Sequence, residues 1–150
     1  MRVVIQRVSR ASVTIDKVEK STIGNGLLVL LGIESADDQS DMDWLTGKIL
    51  RLRIFDDEDG VMNKSITDVD GEIMVVSQFT LHASNKKGNR PSYINAAPPE
   101  IALKLYNEFI NALEHQQQKT VKSGEFGAMM DIELINSGPV TILIDTKNKQ

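Results

Sequence analysis

The stretch Ile73–Pro91, IMVVSQFTLHASNKKGNRP, constrains this chain more than any other. It opens on four apolar residues, Ile73-Met74-Val75-Val76, a short run that reads as a buried strand. It then turns polar while staying extended, through Ser77, Gln78, Phe79, Thr80 and Leu81. It ends in a glycine-containing basic loop, Lys86-Lys87-Gly88-Asn89-Arg90-Pro91. A buried strand that carries hydroxyls and an amide to its end, followed by a cationic loop, is a way to present polar groups to an anionic ligand. The plainer alternative is a core strand followed by a solvated hairpin loop.

The remainder of the chain supplies partners for such a strand. Arg2–Val8 and Ala11–Asp16 read as two strands, the second alternating Val13 and Ile15 with Ser12 and Thr14. Lys17–Lys20 reads as a polar turn and Gly24-Asn25-Gly26 as a hairpin turn, since Gly and Asn accept positive φ. Leu27–Ile33, LLVLLGI, has the length of a strand buried on both faces. Asp37 or Asp38 caps a first helix whose apolar spacing is Met42, Leu45, Ile49, Leu52. Pro98-Pro99 opens a second helix with the stripe Ile101, Leu105, Phe109, Leu113. Met129–Ile135 and Val140–Asp145 read as two more strands separated by Asn136-Ser137-Gly138-Pro139, and 146–150 as a loose polar tail. Two helices and about seven strands make an α+β domain, and 150 residues suffice for one domain with a proper core.

Charge narrows the ligand. The net charge of −4 argues against a general nucleic-acid binder. The acids are concentrated, with 12 of the 21 between Glu34 and Glu72, whereas Ile73–Pro99 and Met1–Ile15 contain none. A local positive site on an acidic protein suits one defined anionic ligand better than a long duplex. The chain has no cysteine, which removes disulfides, thiol nucleophiles and zinc–thiolate sites. Its two histidines, His82 and His115, lack metal-ligand spacing, so neither a metal nor a cofactor is expected. No apolar run approaches the ~18–20 residues needed to cross a bilayer, and no signal-peptide core is present, so a cytoplasmic protein without membrane contact is expected.

No GxSxG elbow is present for a serine hydrolase. Thr80 and His82 fall two residues apart and, on a strand, share a face; the alternative for His82 is a solvated residue at the loop entry. Gly138-Pro139 is the second unusual feature, because proline cannot donate to a strand ladder and glycine leaves the main chain open to close approach.

Together these segments resemble one family. Ser77-Gln78-Phe79-Thr80, Lys87-Gly88-Asn89-Arg90-Pro91-Ser92, Ala96-Ala97-Pro98-Pro99, Phe126-Gly127-Ala128-Met129-Met130 and Asn136-Ser137-Gly138-Pro139-Val140-Thr141 closely resemble the D-aminoacyl-tRNA deacylases. Gln6–Ala11 and Leu50–Phe55 agree as well, so the resemblance runs from Met1 to about Asp145. It implies a three-layer α/β/β fold with mostly antiparallel, barrel-like sheets and two main helices. It implies hydrolysis of the ester between a D-amino acid, or glycine on mischarged tRNA, and the tRNA 3′-terminal adenosine. It also implies a homodimer with the site at its interface, where a Gly-cisPro pair from one subunit rejects L-amino acids in the pocket of the other. By that resemblance Ser77, Gln78 and Thr80 are the catalytic positions. Phe79, Phe126, Met129, Gly138, Pro139, Val140 and Thr141 contact substrate, and Arg7 supports the Gly-Pro loop. Lys86, Lys87 and Arg90 are positioned to meet tRNA phosphates. Main-chain N–H groups around Gln78–Phe79 are expected to stabilise an oxyanion. Thr80 is either the nucleophile or, as we favour, a group that positions the ester while the ribose 2′-OH assists a water. Two departures stand out: Ser137 replaces the family's usual Asp, and His82 is not a family feature. The competing class is a non-catalytic module that binds tRNA 3′ ends or other nucleic acid.

Overall fold

The computed structural model describes residues 1–149. Its elements are β1 (Arg2–Ile15), β2 (Val18–Ile23), β3 (Gly26–Gly32), α1 (Gln39–Arg51), β4 (Phe55–Asp56), β5 (Met62–Lys64), β6 (Glu72–Ser77), α2 (Pro99–Gln117), β7 (Lys122–Ser123) and β8 (Asp131–Asp145). One 3-10 turn, Phe79–His82, follows β6.

β1 organises the sheet. Its first half, residues 2–8, pairs antiparallel with β3, and its second half, residues 11–15, pairs antiparallel with β2. β8 runs antiparallel along its whole opposite edge. β3 pairs parallel with β6 and β6 parallel with β7. Ser21 Oγ on β2 donates to Ser123 O on β7 at 2.8 Å, which brings the ends of the path together into a nearly closed, barrel-like mixed sheet.

Residue alternation on β3 and β6 then sorts two cores. Leu27, Val29, Leu31, Ile73 and Val75 face α1 and α2 with Met42, Leu45, Ile49, Tyr106, Phe109 and Leu113. Leu28, Met74 and Val76 face the other way, against Val8, Ala11, Val13 and Ile23. Both runs are therefore buried on two faces, and the layers are helices, sheet, and the curled second half of the sheet. Gly26 opens β3 because nothing larger fits: a Cβ there would lie 1.9 Å from Glu72 O of the parallel neighbour.

The helices follow from their caps and stripes. Asp38 caps α1 through a reciprocal box, accepting from Asp41 N–H at 3.1 Å while the Asp41 carboxylate accepts from Asp38 N–H at 3.1 Å. Pro99 occupies the first turn of α2. Tyr106 fixes α2 to the sheet by donating to Val75 O at 2.9 Å, and burial pushes its phenol up to about 12. No helix among the described residues is long and apolar enough to cross a membrane.

Several local expectations change. The two N-terminal strands are one, because a register shift carries β1 across Arg7–Arg10 without ending it. The two C-terminal strands are likewise one β8, and Asn136–Pro139 is not a connection. The tight turn is Asp16-Lys17, both at positive φ, and Val18–Lys20 already belongs to β2. Gly24-Asn25 closes no hairpin, since β2 and β3 each pair with β1 and not with each other. The buried face of α2 starts at Ala102 and Tyr106, with Ile101 exposed, because the sheet meets its first turns one position further on. The tail is tied down rather than loose up to Lys147. Thr146 N–H donates to Met1 O at 2.9 Å, Thr146 is buried, and Lys147 pairs with Asp41. Gln150 lies outside the described residues.

Candidate active site

β6 delivers its polar residues at the end of a buried strand. Ile73–Val76 are buried, Ser77 and Gln78 half-buried, and Phe79 56% exposed. The extended segment ends sooner than the sequence suggests. Gln78 N–H donates to Leu31 O at 2.7 Å, after which the chain folds into the 3-10 turn Phe79–His82. Thr80 and His82 therefore do not share a strand face. His82 points inward and is buried, with its Nδ1 4.0 Å from a Glu34 carboxylate oxygen, rather than solvated at the loop entry.

The Thr80 hydroxyl accepts from Gln78 Nε2 at 2.6 Å. No His, Asp or Glu is bonded to it, so nothing adjacent removes its proton. The main-chain donors also differ from expectation. Gln78 N–H is committed to Leu31 O, which leaves Phe79 N–H and Thr80 N–H, the first two donors of the turn, without a helical acceptor. Arg2 Nη1 donates to Leu81 O at 3.1 Å and holds the turn against β1. A cavity of about 370 Å³ opens beside it, lined in part by Arg2, Leu81, Trp44 and Lys48.

The second constellation is a wide bulge in β8. Gln6 pairs with Thr141 and Val8 with Asn136, so residues 137–140 loop out opposite the single residue Arg7. Asn136 closes the neck, its Nδ2 donating to Arg7 O at 3.1 Å and to Val140 O at 3.0 Å. The Arg7 guanidinium braces it, donating to Ser137 O at 3.3 Å and to Ile54 O at 2.8 Å, with Asp56 Oδ1 at 3.2 Å. At the tip the Gly138-Pro139 bond is cis and Gly138 has φ +118, a value that L side chains rarely adopt. Gly138 and Pro139 are exposed, as is Thr141, whose hydroxyl donates to Asn136 Oδ1 at 3.3 Å.

Wall and bulge do not meet within one chain. Gln78 is bonded at Leu31, whereas the bulge faces Arg7, whose partner across β1–β3 is Leu27. Four residues of strand separate them by roughly 13 Å. Phe126 packs on Tyr106 with ring centroids 5.7 Å apart, Tyr106 being the residue bonded to Val75 O on β6, and Met129 is exposed just ahead of β8. Lys86, Lys87 and Arg90 lie in an exposed loop closed by a two-bond bridge, Ser84 N–H to Ser92 O at 2.8 Å and Ser92 N–H to Ser84 O at 2.9 Å.

A family model described as D-Tyr-tRNA(Tyr) deacylase matches residues 4–145. The chain belongs to the D-Tyr-tRNA(Tyr) deacylase family. Over all 150 residues, with both chains fully covered, it is 65% identical to a D-aminoacyl-tRNA deacylase of Bacteroides fragilis and 59% identical to one of Flavobacterium johnsoniae. Among solved structures, the c-Myc DNA Unwinding Element Binding Protein superposes with a TM-score of 0.92 at 44% identity, over 97% of this chain and 98% of that one. A probable eukaryotic D-amino acid tRNA deacylase superposes with a TM-score of 0.81 at 18% identity, over 95% and 97%, and shares the fold.

Sequence reasoning missed three contributors to the site. Arg2 anchors the 3-10 turn, Asn136 closes the bulge, and Tyr93 packs edge-on against Phe79. Arg2 left a trace as a cation in the acid-free first strand, and Asn136 as the opening residue of the segment that contains Gly138-Pro139, neither with a role assigned.

Proposed function

We propose that this chain hydrolyses the ester joining a D-amino acid to the 3′-terminal adenosine of tRNA, as a single domain of the cytoplasm that works as a homodimer. Water adds to the ester carbonyl, the tetrahedral oxyanion collapses, and the ribose 3′-oxygen leaves with a proton. Phe79 N–H and Thr80 N–H are the donors available to the oxyanion, and one such donor is worth about 3–4 kcal/mol. Thr80, with its oxygen already accepting from Gln78 and no base beside it, orients the ester through its free O–H, while the ribose 2′-OH assists the water. The carrying observation is this wall: two free main-chain donors beside an amide-supported hydroxyl, at the solvent end of a buried strand.

Chirality is judged by main chain. The bulge at Gly138-Pro139 cannot reach its own wall, so in this reading it enters the wall of a second copy. There rigid carbonyls occupy the space an L side chain would take, and a polar group left unsatisfied adds to the rejection. Glycine has no side chain and passes the same filter, so glycyl-tRNA is also a substrate. Phe126, Met129, Val140 and Thr141 line the adenosine side, and Lys86, Lys87 and Arg90 meet phosphates.

The test is release of D-tyrosine and L-tyrosine from charged tRNA at low enzyme concentration. Rapid release of the D form alone is expected; equal cleavage of both would remove the chiral role of Gly138-Pro139. The name of the 44%-identical structural relative favours a second reading, a nucleic-acid-binding module without turnover. Cleavage of neither ester would select it.

A further inference from the structure

Phe79 and Tyr93 form an exposed aromatic pair, with centroids 5.0 Å apart and planes at 76°. Both rings are open to solvent, at 56% and 40%. Within the single chain nothing covers these two adjacent rings, and its own packing does not explain the patch. The main chain puts them together. The Ser84–Ser92 bridge closes the loop 85–91 and returns the chain so that Tyr93 lands on Phe79, one residue from Thr80. The loop that this bridge closes carries Lys86, Lys87 and Arg90, all exposed. Among the described residues none of these three cations has an ion-pair partner. No Asp or Glu occurs from Ile73 to Pro99 to neutralise them. Residues 85–95 are exposed without interruption.

Exposed aromatic faces and unpaired cations on one exposed, acid-free strip suit single-stranded nucleic acid: bases stack on the rings and phosphates sit on the cations, with little dependence on sequence. A duplex would need a longer basic track than this loop supplies. We propose that Tyr93 and Phe79, with Lys86, Lys87 and Arg90, form a stacking subsite for the unpaired nucleotides immediately preceding the terminal adenosine. This rests on the deacylase reading for the position of that adenosine. The subsite orients the RNA strand as it enters the wall at Thr80, and its occupant is unpaired RNA, not a protein.

The experiment compares binding of the trinucleotide CCA with binding of adenosine alone, and turnover of D-tyrosyl-tRNA with that of D-tyrosyl-adenosine. Tyr93→Ala is expected to lower the preference for CCA over adenosine about tenfold and to raise the KM ratio of tRNA to adenosine ester by a similar factor, with the kcat ratio unmoved. Tyr93→Trp restores the preference. Replacing Lys86, Lys87 and Arg90 together by Gln flattens the slope of log affinity for CCA against log salt by up to about 1.4, the limit set by the two phosphates of the trinucleotide. Melting temperature and elution volume are recorded for every variant. Loss of affinity for CCA and adenosine in equal proportion would show that Tyr93 merely props Phe79, and overturn the subsite. So would an unchanged preference, or a Tyr93→Ala variant whose main change is its oligomeric state, which would make the patch a contact between copies. Wild-type protein that cleaves neither ester refutes the deacylase reading. The CCA preference and its dependence on Tyr93 are read separately, without turnover.

Discussion

Arg7 offers the sharpest single perturbation, because its guanidinium connects the β8 bulge to the body of the fold. Arg7→Ala removes the bond to Ile54 O at 2.8 Å, the longer bond to Ser137 O at 3.3 Å and the pair with Asp56, whose side chain is 52% exposed. A charge-assisted bond of good geometry contributes about 2 kcal/mol and a long one about 1. The Asp56 pair, facing solvent, adds no more than about 0.5. The sum, about 3 kcal/mol, corresponds to a melting temperature lower by about 6–12 °C in a domain of this length. The functional consequence is separable from the stability loss. If Arg7 fixes where Gly138 and Pro139 stand, Arg7→Ala at a temperature where it remains folded lowers the ratio of D- to L-tyrosine release by tenfold or more. Arg7→Lys, which keeps a charge but loses the fork, falls between the two. Charged-tRNA release assays on both enantiomers, run beside thermal melts, read both effects. An Arg7→Ala protein with the expected loss of stability but a D-to-L ratio within twofold of wild type would refute the reasoning. The Asn136 neck would then hold the bulge alone.

Thr80→Ser and Thr80→Ala should both retain measurable turnover, with Thr80→Ala reduced; complete loss with substrate binding intact would make Thr80 the nucleophile. Gly26→Ala should cost about 3 kcal/mol or more in urea unfolding, because the clash is with the Glu72 main chain and neither strand can yield without parting β3 from β6. Acid should destabilise through the α1 cap. The Ser40 hydroxyl and Asp41 N–H donate to Asp38 and hold its carboxyl below the usual range. In Asp41, burial pushes the carboxyl up, but bonds from Lys147 and Thr146 outweigh it and the net shift is downward. Groups lowered in the folded state stabilise it above the unfolded value of about 4 and lose that contribution as the pH falls further. Thermal melts from pH 7 to 2.5 should drop steeply below pH 4, and less steeply in Asp41→Asn; parallel curves would contradict the assignment.

Periodicity alone placed the strands that lie between two layers. Leu27–Ile33 and Ile73–Val76 are uninterrupted apolar runs because both of their faces are covered, and such runs are legible without a structure. The cap of α1 was legible only as Asp37 or Asp38; the structure selects Asp38 and adds the reciprocal bond from Asp41. What failed was long-range pairing. Asn136-Ser137-Gly138-Pro139 has the composition of a turn, and only the pairing of β8 with β1 on both sides of it makes it a bulge. Gly24-Asn25-Gly26 has the composition of a hairpin, but the demand on Gly26 comes from Glu72, far along the chain. The polar end of β6 was visible as chemistry. Its 3-10 geometry was not, since nothing local shows that Gln78 N–H will be taken by Leu31 O.

On the proposed reading, β1 also sets the distance that makes the site a shared one. Arg2 holds the wall at one end of the strand and Arg7 holds the bulge five residues on, so one rigid element keeps them apart in every copy of the chain. If a substrate carbon is gripped by both, as proposed, it lies between two chains, and in a two-fold pair each wall then meets the other chain's bulge, making two equivalent sites. This has a consequence that no single-chain site shares. Let one variant block the wall, Thr80→Trp, and a second variant delete Gly138 and Pro139. Each homodimer carries two defective sites. A mixed dimer carries one site with both defects and one with neither. Co-refolding equal amounts pairs half of the chains as mixed dimers, so about a quarter of wild-type D-selective turnover should return. Two differently tagged chains purified in tandem should raise this to about half. Turnover in the mixture no greater than the sum of the two homodimers would place wall and bulge in the same chain's site, and the β1 spacing would then need another explanation.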